Sequence, residues 1–242
     1  MLEKYNTTSF EKDLEELNIK LDKRQVCQFL QYYELLVEWN SFMNLTAITD
    51  FDEVIKKHFI DSLSLIKSID LSRNFSVIDI GTGAGFPGIP LKIAFPNLKI
   101  TLLDSLNKRI KFLDEVINRL ELKDIKTIHG RVEDFAKDKD YRENYDLCVS
   151  RAVANLSTLS EYCLPYIKVG GKFISYKSEK ITDEMNAAKN AIHILGGNVL
   201  SQVEFNLPDS DIYRNLFVIE KVKDTPKKYP RKAGLPSKEP LA

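Results

Sequence analysis

The chain has one tryptophan, three histidines and three cysteines in 242 residues. Cys27, Cys148 and Cys163 are odd in number and widely spaced, which excludes a disulfide framework and the paired spacing of a zinc site. They read as buried thiols in a reducing compartment. His129 and His193 have no spaced partners, so they read as structural and no metal is expected. Net charge is also absent, with 35 Lys and Arg against 35 Asp and Glu, so attraction to a polyanion must come from local clusters. No apolar run approaches the roughly 20 residues that span a bilayer. The opening MLEKYNTTSFEKDLEEL carries acids where a signal peptide needs an apolar stretch. A soluble, cytoplasmic protein without membrane contact is expected.

The 43% hydrophobic content suffices for one large α/β domain with an appendage. Residues 1–70 read as a helical N-terminal extension. Asp22 is a plausible N-cap for a helix with Val26, Phe29, Leu30, Tyr33 and Val37 on one face, and Ile55, Phe59, Ser62, Leu63 and Ile66 line another near 50–68. Over residues 71–223 short apolar runs alternate with helical stretches, the pattern of a parallel sheet with crossover helices. Seven strands are predicted, at 75–80, 98–103, 126–129, 146–150, 171–176, about 198–205 and 214–222. The last two lack an intervening helix, so the sheet should end in an antiparallel pair. Residues 224–242 form a basic, proline-rich tail, expected to be extended because its prolines forbid continuous helix or inner strand.

The stretch VIDIGTGAGFPGIP, residues 77–90, has two parsings. Gly83-x-Gly85-x-x-Gly88 spells a dinucleotide-binding turn and would imply hydride transfer. Gly81-x-Gly83-x-Gly85 starts directly after Ile80 and avoids placing Pro90 early in a helix that must receive a pyrophosphate. Asp104 ends the second strand, where a carboxylate can accept both ribose hydroxyl protons of a nucleoside or cap the helix that follows.

Asp79-Ile80-Gly81-Thr82-Gly83-Ala84-Gly85 resembles the first motif of the Rossmann-like class I S-adenosylmethionine methyltransferases. With GTGAGFPGIPL, DLCVSRAVANLSTL, NLTAI, KHFIDSL and the ending TPKKYPRKAGLPSKEPL, the chain resembles the RsmG (GidB) family from about residue 25 onward. That resemblance implies S-adenosyl-L-methionine as cofactor and methylation of N7 of a guanine in 16S ribosomal RNA, free or in the small subunit; a monomer is expected. It assigns cofactor contacts to Gly81, Gly83, Phe86, Asp104, Val132, Glu133 and Arg151, and to Asp79 a share in ordering the loop or the methionine ammonium.

Guanine N7 carries a lone pair and no proton, so direct attack on a sulfonium methyl needs position and no general base. Arg151 can meet the cofactor carboxylate, pair with an acid such as Glu133, or fork onto the guanine edge. His58, with Asp61 and Ser62 on its helical face, is a second positioning residue or simply a packed one. Lys177, Lys227, Lys228, Arg231 and Lys232 are the expected RNA contacts, with Tyr229 near enough for base stacking. Competing readings are a same-fold enzyme acting on a small molecule or protein, a nicotinamide dehydrogenase, and a non-enzymatic RNA-binding module.

Overall fold

A computed structural model describes residues 4–152, 154–179 and 181–241. Helices α1 (Thr8–Glu16) and α2 (Lys23–Met43) open the chain. Asp22 caps α2 in a reciprocal box: its carboxylate accepts from Gln25 N and its amide donates to Gln25 Oε1, both at 2.8 Å. The buried face of α2 turns onto Tyr32, Leu35 and Leu36, leaving Tyr33 and Val37 half-buried. Tyr32 sets that rotation by donating its hydroxyl to the Ala84 carbonyl, inside the glycine turn.

The helix expected near 50–68 is not continuous. It runs as α3 (Phe51–Val54), a π-helical turn (Ile55–Ile60), α4 (Asp61–Leu63) and a 3₁₀ turn (Ser64–Lys67). Ile55, Phe59 and Leu63 stay buried throughout.

The α/β unit follows as β1 (Ser76–Ile80), α5 (Gly88–Ala94), β2 (Lys99–Asp104), α6 (Asn107–Arg119), β3 (Ile125–His129), α7 (Val132–Phe135), β4 (Tyr145–Ser150), α8 (Leu156–Cys163), β5 (Ile167–Lys177), α9 (Thr182–Ile194), β6 (Gly197–Asn206) and β7 (Tyr213–Lys221). A short α10 (Leu235–Lys238) lies in the C-terminal segment. All seven expected strands are present, in the order β3-β2-β1-β4-β5-β7-β6. β7 runs antiparallel to both β5 and β6 while the other pairs are parallel. Strand order reverses between β1 and β4, where an open α/β sheet places its ligand crevice.

The sheet separates two apolar cores. One joins Val77, Leu102 and Leu216 to the N-terminal helices, α5 and α6; the other joins Ile78, Phe173 and Phe217 to α8, α9 and Tyr229. Cys148 and Cys163 are buried, but Cys27 is half-exposed on α2 because it lies beside the buried stripe. Among the described residues no helix is long and apolar enough to cross a membrane.

Candidate functional site

A cleft of about 560 Å³ opens beyond the carboxyl ends of β1, β2 and β4. It is lined by Gly81, Gly83, Phe86, Asp104, Val132, Glu133 and Arg151, and by His58 from the helical extension. All seven expected cofactor contacts and both positioning residues thus share one cavity.

Asp79 ties the glycine turn together. Its Oδ2 accepts from the Thr82 hydroxyl at 2.7 Å and from Gly88 N at 2.9 Å, while its Oδ1 is buried without a partner. Three of the turn's glycines divide by role. A Cβ on Gly85 would lie 2.6 Å from Ile89 and 2.7 Å from the Tyr32 hydroxyl, and one on Gly88 only 2.3 Å from Leu102, so both are packing glycines. Gly83 has φ +62° and no atom closer than 4.0 Å to such a Cβ, so its missing side chain leaves room in the cleft. The amides that open α5 are used internally: Gly88 N on Asp79, and Ile89 N on the Gly85 carbonyl at 2.7 Å. They are not offered to a pyrophosphate, which removes the basis of the dinucleotide parsing.

Asp104 is 2% exposed and already well supplied. Its Oδ2 accepts from Gly83 N at 3.0 Å and from Arg109 Nη1 at 3.1 Å, and its Oδ1 accepts from Leu106 N at 2.9 Å. A carboxylate has about four lone-pair sites, so room for one further donor remains. The Leu106 contact is a local turn and α6 has no side-chain cap, so the capping alternative is not realised, and a two-hydroxyl ribose contact would require Arg109 to leave. Glu133, also buried, accepts from Gly234 N at 2.7 Å through Oε1.

Arg151 reaches back to the π turn. Nη1 donates to the His58 carbonyl (3.3 Å) and Ser62 Oγ (3.0 Å), and Nη2 donates to the Lys57 carbonyl (3.2 Å) and lies 3.2 Å from Asp61 Oδ2. The acid that pairs with it is Asp61, not Glu133, and the other Asp61 oxygen takes Arg214 Nε at 2.8 Å. With both Nη groups engaged, the forked guanine contact weighed from the sequence is closed. The guanidinium instead lies over the Phe86 ring, 5.7 Å from its centroid. His58 stacks on Phe86 at 4.5 Å and 18° between planes, with Nε2 2.9 Å from Thr46 Oγ1 and Nδ1 buried without a partner.

Two groups at the site titrate in opposite directions. Burial raises Asp79 to about 7. Burial and the Arg151 charge lower His58 to about 4, so the imidazole is neutral at physiological pH. A carboxyl raised from 3.8 contributes stability that is full in acid and lost as pH climbs toward 7. A histidine lowered from 6.5 contributes stability present above 6.5 and lost as pH falls toward 4. The two slopes oppose each other. Asp79→Asn removes the first, so this variant gains stability relative to wild type as pH rises from about 5 to 8. Urea unfolding at both ends of that range measures the gain, and an unchanged difference would contradict a buried neutral acid.

The cationic residues divide. Lys227, Lys228 and Lys232 are exposed. Lys177 is turned inward, 2.7 Å from Glu184 Oε1 and 3.0 Å from the Ala154 carbonyl. Arg231 is held bidentately by the fully buried Glu161. Tyr229 is 7% exposed, with Lys228 Nζ 5.2 Å from its ring centroid, so its face is not free for a base. The tail is thus not extended over its length; it packs back onto α8, and α10 is only four residues long.

From the sequence Arg109 reads as an addition to the RNA surface, whereas the structure pairs it with Asp104; Arg214, Tyr32, Glu161 and the lining residues Gly234 and Ser237 were missed. For Glu161 one signal was available, since an acid inside the otherwise uncharged LSTLSEYC calls for a partner if buried. Leu45 and Thr46 of NLTAI line the cleft as well.

The family model described as rRNA small subunit methyltransferase G (GidB) matches residues 25–213. A protein named Ribosomal RNA small subunit methyltransferase G from Lachnoclostridium phytofermentans is 57% identical over 236 residues, covering 98% of each chain. One of the same name from Acetivibrio thermocellus is 57% identical over 92% of this chain and 91% of that one. Among solved structures, a methyltransferase from Pyrococcus furiosus superposes with a TM-score of 0.57 at 16% identity, covering 84% of this chain and 100% of that one. An S-adenosylmethionine-dependent methyltransferase from Aquifex aeolicus gives 0.52 at 17% identity, covering 72% and 94%. These last two likenesses are of fold.

Proposed function

The chain belongs to the GidB family of small-subunit ribosomal RNA methyltransferases, and from that premise we propose that its cleft holds S-adenosylmethionine and directs the methyl to N7 of a guanine in 16S ribosomal RNA. The observation that carries the cofactor assignment is the glycine turn, open at Gly83 while its helix amides are spent internally. Such a turn suits a nucleoside cofactor that carries no phosphate. Gly81 and Gly83 give the close backbone approach, Asp104 takes one ribose hydroxyl with its remaining lone pair, and Val132 and Glu133 border the base. The bound cofactor supplies an electrophilic methyl on a sulfonium.

The residues around it move no proton. Neutral His58 and Arg151, engaged through both Nη groups, both pack on Phe86 and fix the wall where the guanine enters. N7 has no proton to lose, so the site acts by alignment and exclusion of water, which can supply about 7–11 kcal/mol of a barrier. Lys227, Lys228 and Lys232 neutralise RNA phosphates, and a folded RNA is read by shape. The protein acts as a cytoplasmic monomer.

Incubation with tritiated methyl donor should label 16S RNA, as free RNA or in the small subunit, and primer extension after cleavage at N7-methylguanine should stop at one guanine. Absence of label, or label at another atom, would remove the assignment. Asp104→Ala should weaken cofactor binding about tenfold, or 1.4 kcal/mol, with RNA affinity little changed. Wild-type affinity by calorimetry would move the ribose elsewhere.

A further inference from the structure

The C-terminal segment contributes to the cleft itself. Gly234 and Ser237 line the same cavity as Gly83, Asp104 and Glu133. Three anchors bring them there. At the root, Glu143 Oε1 accepts from Thr225 N at 2.7 Å, and the buried Lys221 donates to the Thr225 hydroxyl at 2.6 Å. Next, the Arg142 guanidinium donates to the Thr225 and Tyr229 carbonyls, at 2.6 and 2.9 Å. Finally, Glu161 takes the Arg231 amide at 2.7 Å and its guanidinium through Nε and Nη2. Glu161 has no exposed surface, and an acid so buried holds its partner firmly.

Past this clamp the chain turns at Gly234, whose φ of +80° favours glycine, and donates its amide to Glu133. Thr158 Oγ1 then fixes the Pro236 carbonyl at 2.9 Å. Glu133, the acid that borders the cofactor base, is therefore positioned from the far end of the chain.

We propose that Gly234 and Ser237 form the purine-side wall of the cofactor site, held closed by the Arg231–Glu161 clamp, a role separate from RNA contact by Lys227, Lys228 and Lys232. This rests on the cofactor reading above. One Glu133 oxygen orders the wall, and the other is left for the exocyclic amine of the base. The ordered backbone excludes water from the base edge.

Calorimetry with S-adenosylhomocysteine tests this on the full-length protein. Arg231→Ala should lose about tenfold in affinity or more. Ser237→Trp, at an exposed position where the fold is not challenged, should lose as much by crowding the cleft. Replacing Lys227, Lys228 and Lys232 together with Ala should leave that affinity unchanged and lower RNA affinity and its salt dependence. Hydrogen exchange at the Gly234 amide should slow when the probe binds. Wild-type affinity in Ser237→Trp together with unchanged exchange would overturn the wall while leaving the cofactor reading intact. Failure of the unmodified protein to bind the probe would bring down both.

Discussion

Asp61→Ala should cost the fold about 3–5 kcal/mol, measured as a fall in the urea midpoint, and should lower Tm by about 10 °C. Asp61 is 2% exposed and balances two guanidinium groups, Arg151 and Arg214, whose side chains are 18% and 16% exposed. Removing the carboxylate leaves two positive charges facing each other with little water to solvate them. Arg151 would lose its alignment over Phe86, so methyl transfer should fall along with stability. Asp61→Leu combined with Arg214→Met should recover part of the stability, because a removed charge needs no partner. A cost below about 1 kcal/mol for Asp61→Ala would show that the triad is solvated like a surface pair.

The second large effect separates two glycines only two residues apart. Gly85→Ala should be a stability variant. Its φ is +100°, and the new Cβ would press on Ile89, the Tyr32 hydroxyl and Leu113 at 2.6–2.9 Å. Overpacking costs about 1–3 kcal/mol, and the left-handed backbone about 1–2 kcal/mol more. Gly83→Ala should instead be a binding variant. It has the backbone cost alone, since nothing stands closer than 4.0 Å to its Cβ, but the methyl enters space that the cofactor needs. Cofactor affinity should fall about 100-fold, near 2.7 kcal/mol, with a small change in Tm. Calorimetry and thermal unfolding on both variants check the exchange of effects. Unimpaired binding by Gly83→Ala would place the cofactor away from the turn.

Much of this was legible because it depends on local pattern. Alternation and length gave the strands, and the missing helix before β7 gave its antiparallel direction. Asp22 and Gln25 announce a cap within four residues. The site was legible through strand ends, since Asp79 lies one residue before the end of β1, Asp104 ends β2 and Arg151 follows β4. What stayed hidden depends on pairs far apart in the chain. Arg151 and Asp61 are ninety positions apart, and no spacing rule joins them. Tail lysines and Arg231 look alike as charges, and only the buried Glu161 distinguishes them. The π turn was hidden for another reason: α-helical and π-helical paths bury the same Ile55 and Phe59, and the choice coincides with carbonyls that Arg151 occupies.

That turn makes the length of this segment part of the machinery. A π turn absorbs one residue more than the α-helix it interrupts. A chain shortened by one position between 55 and 60 could run as plain α-helix with the residues beyond it kept in phase. Asp61 would stay near both arginines, but the Lys57 and His58 carbonyls would return to the helical ladder and be lost to Arg151. Substitutions on the outer surface of this segment should be tolerated, whereas single-codon deletions should not.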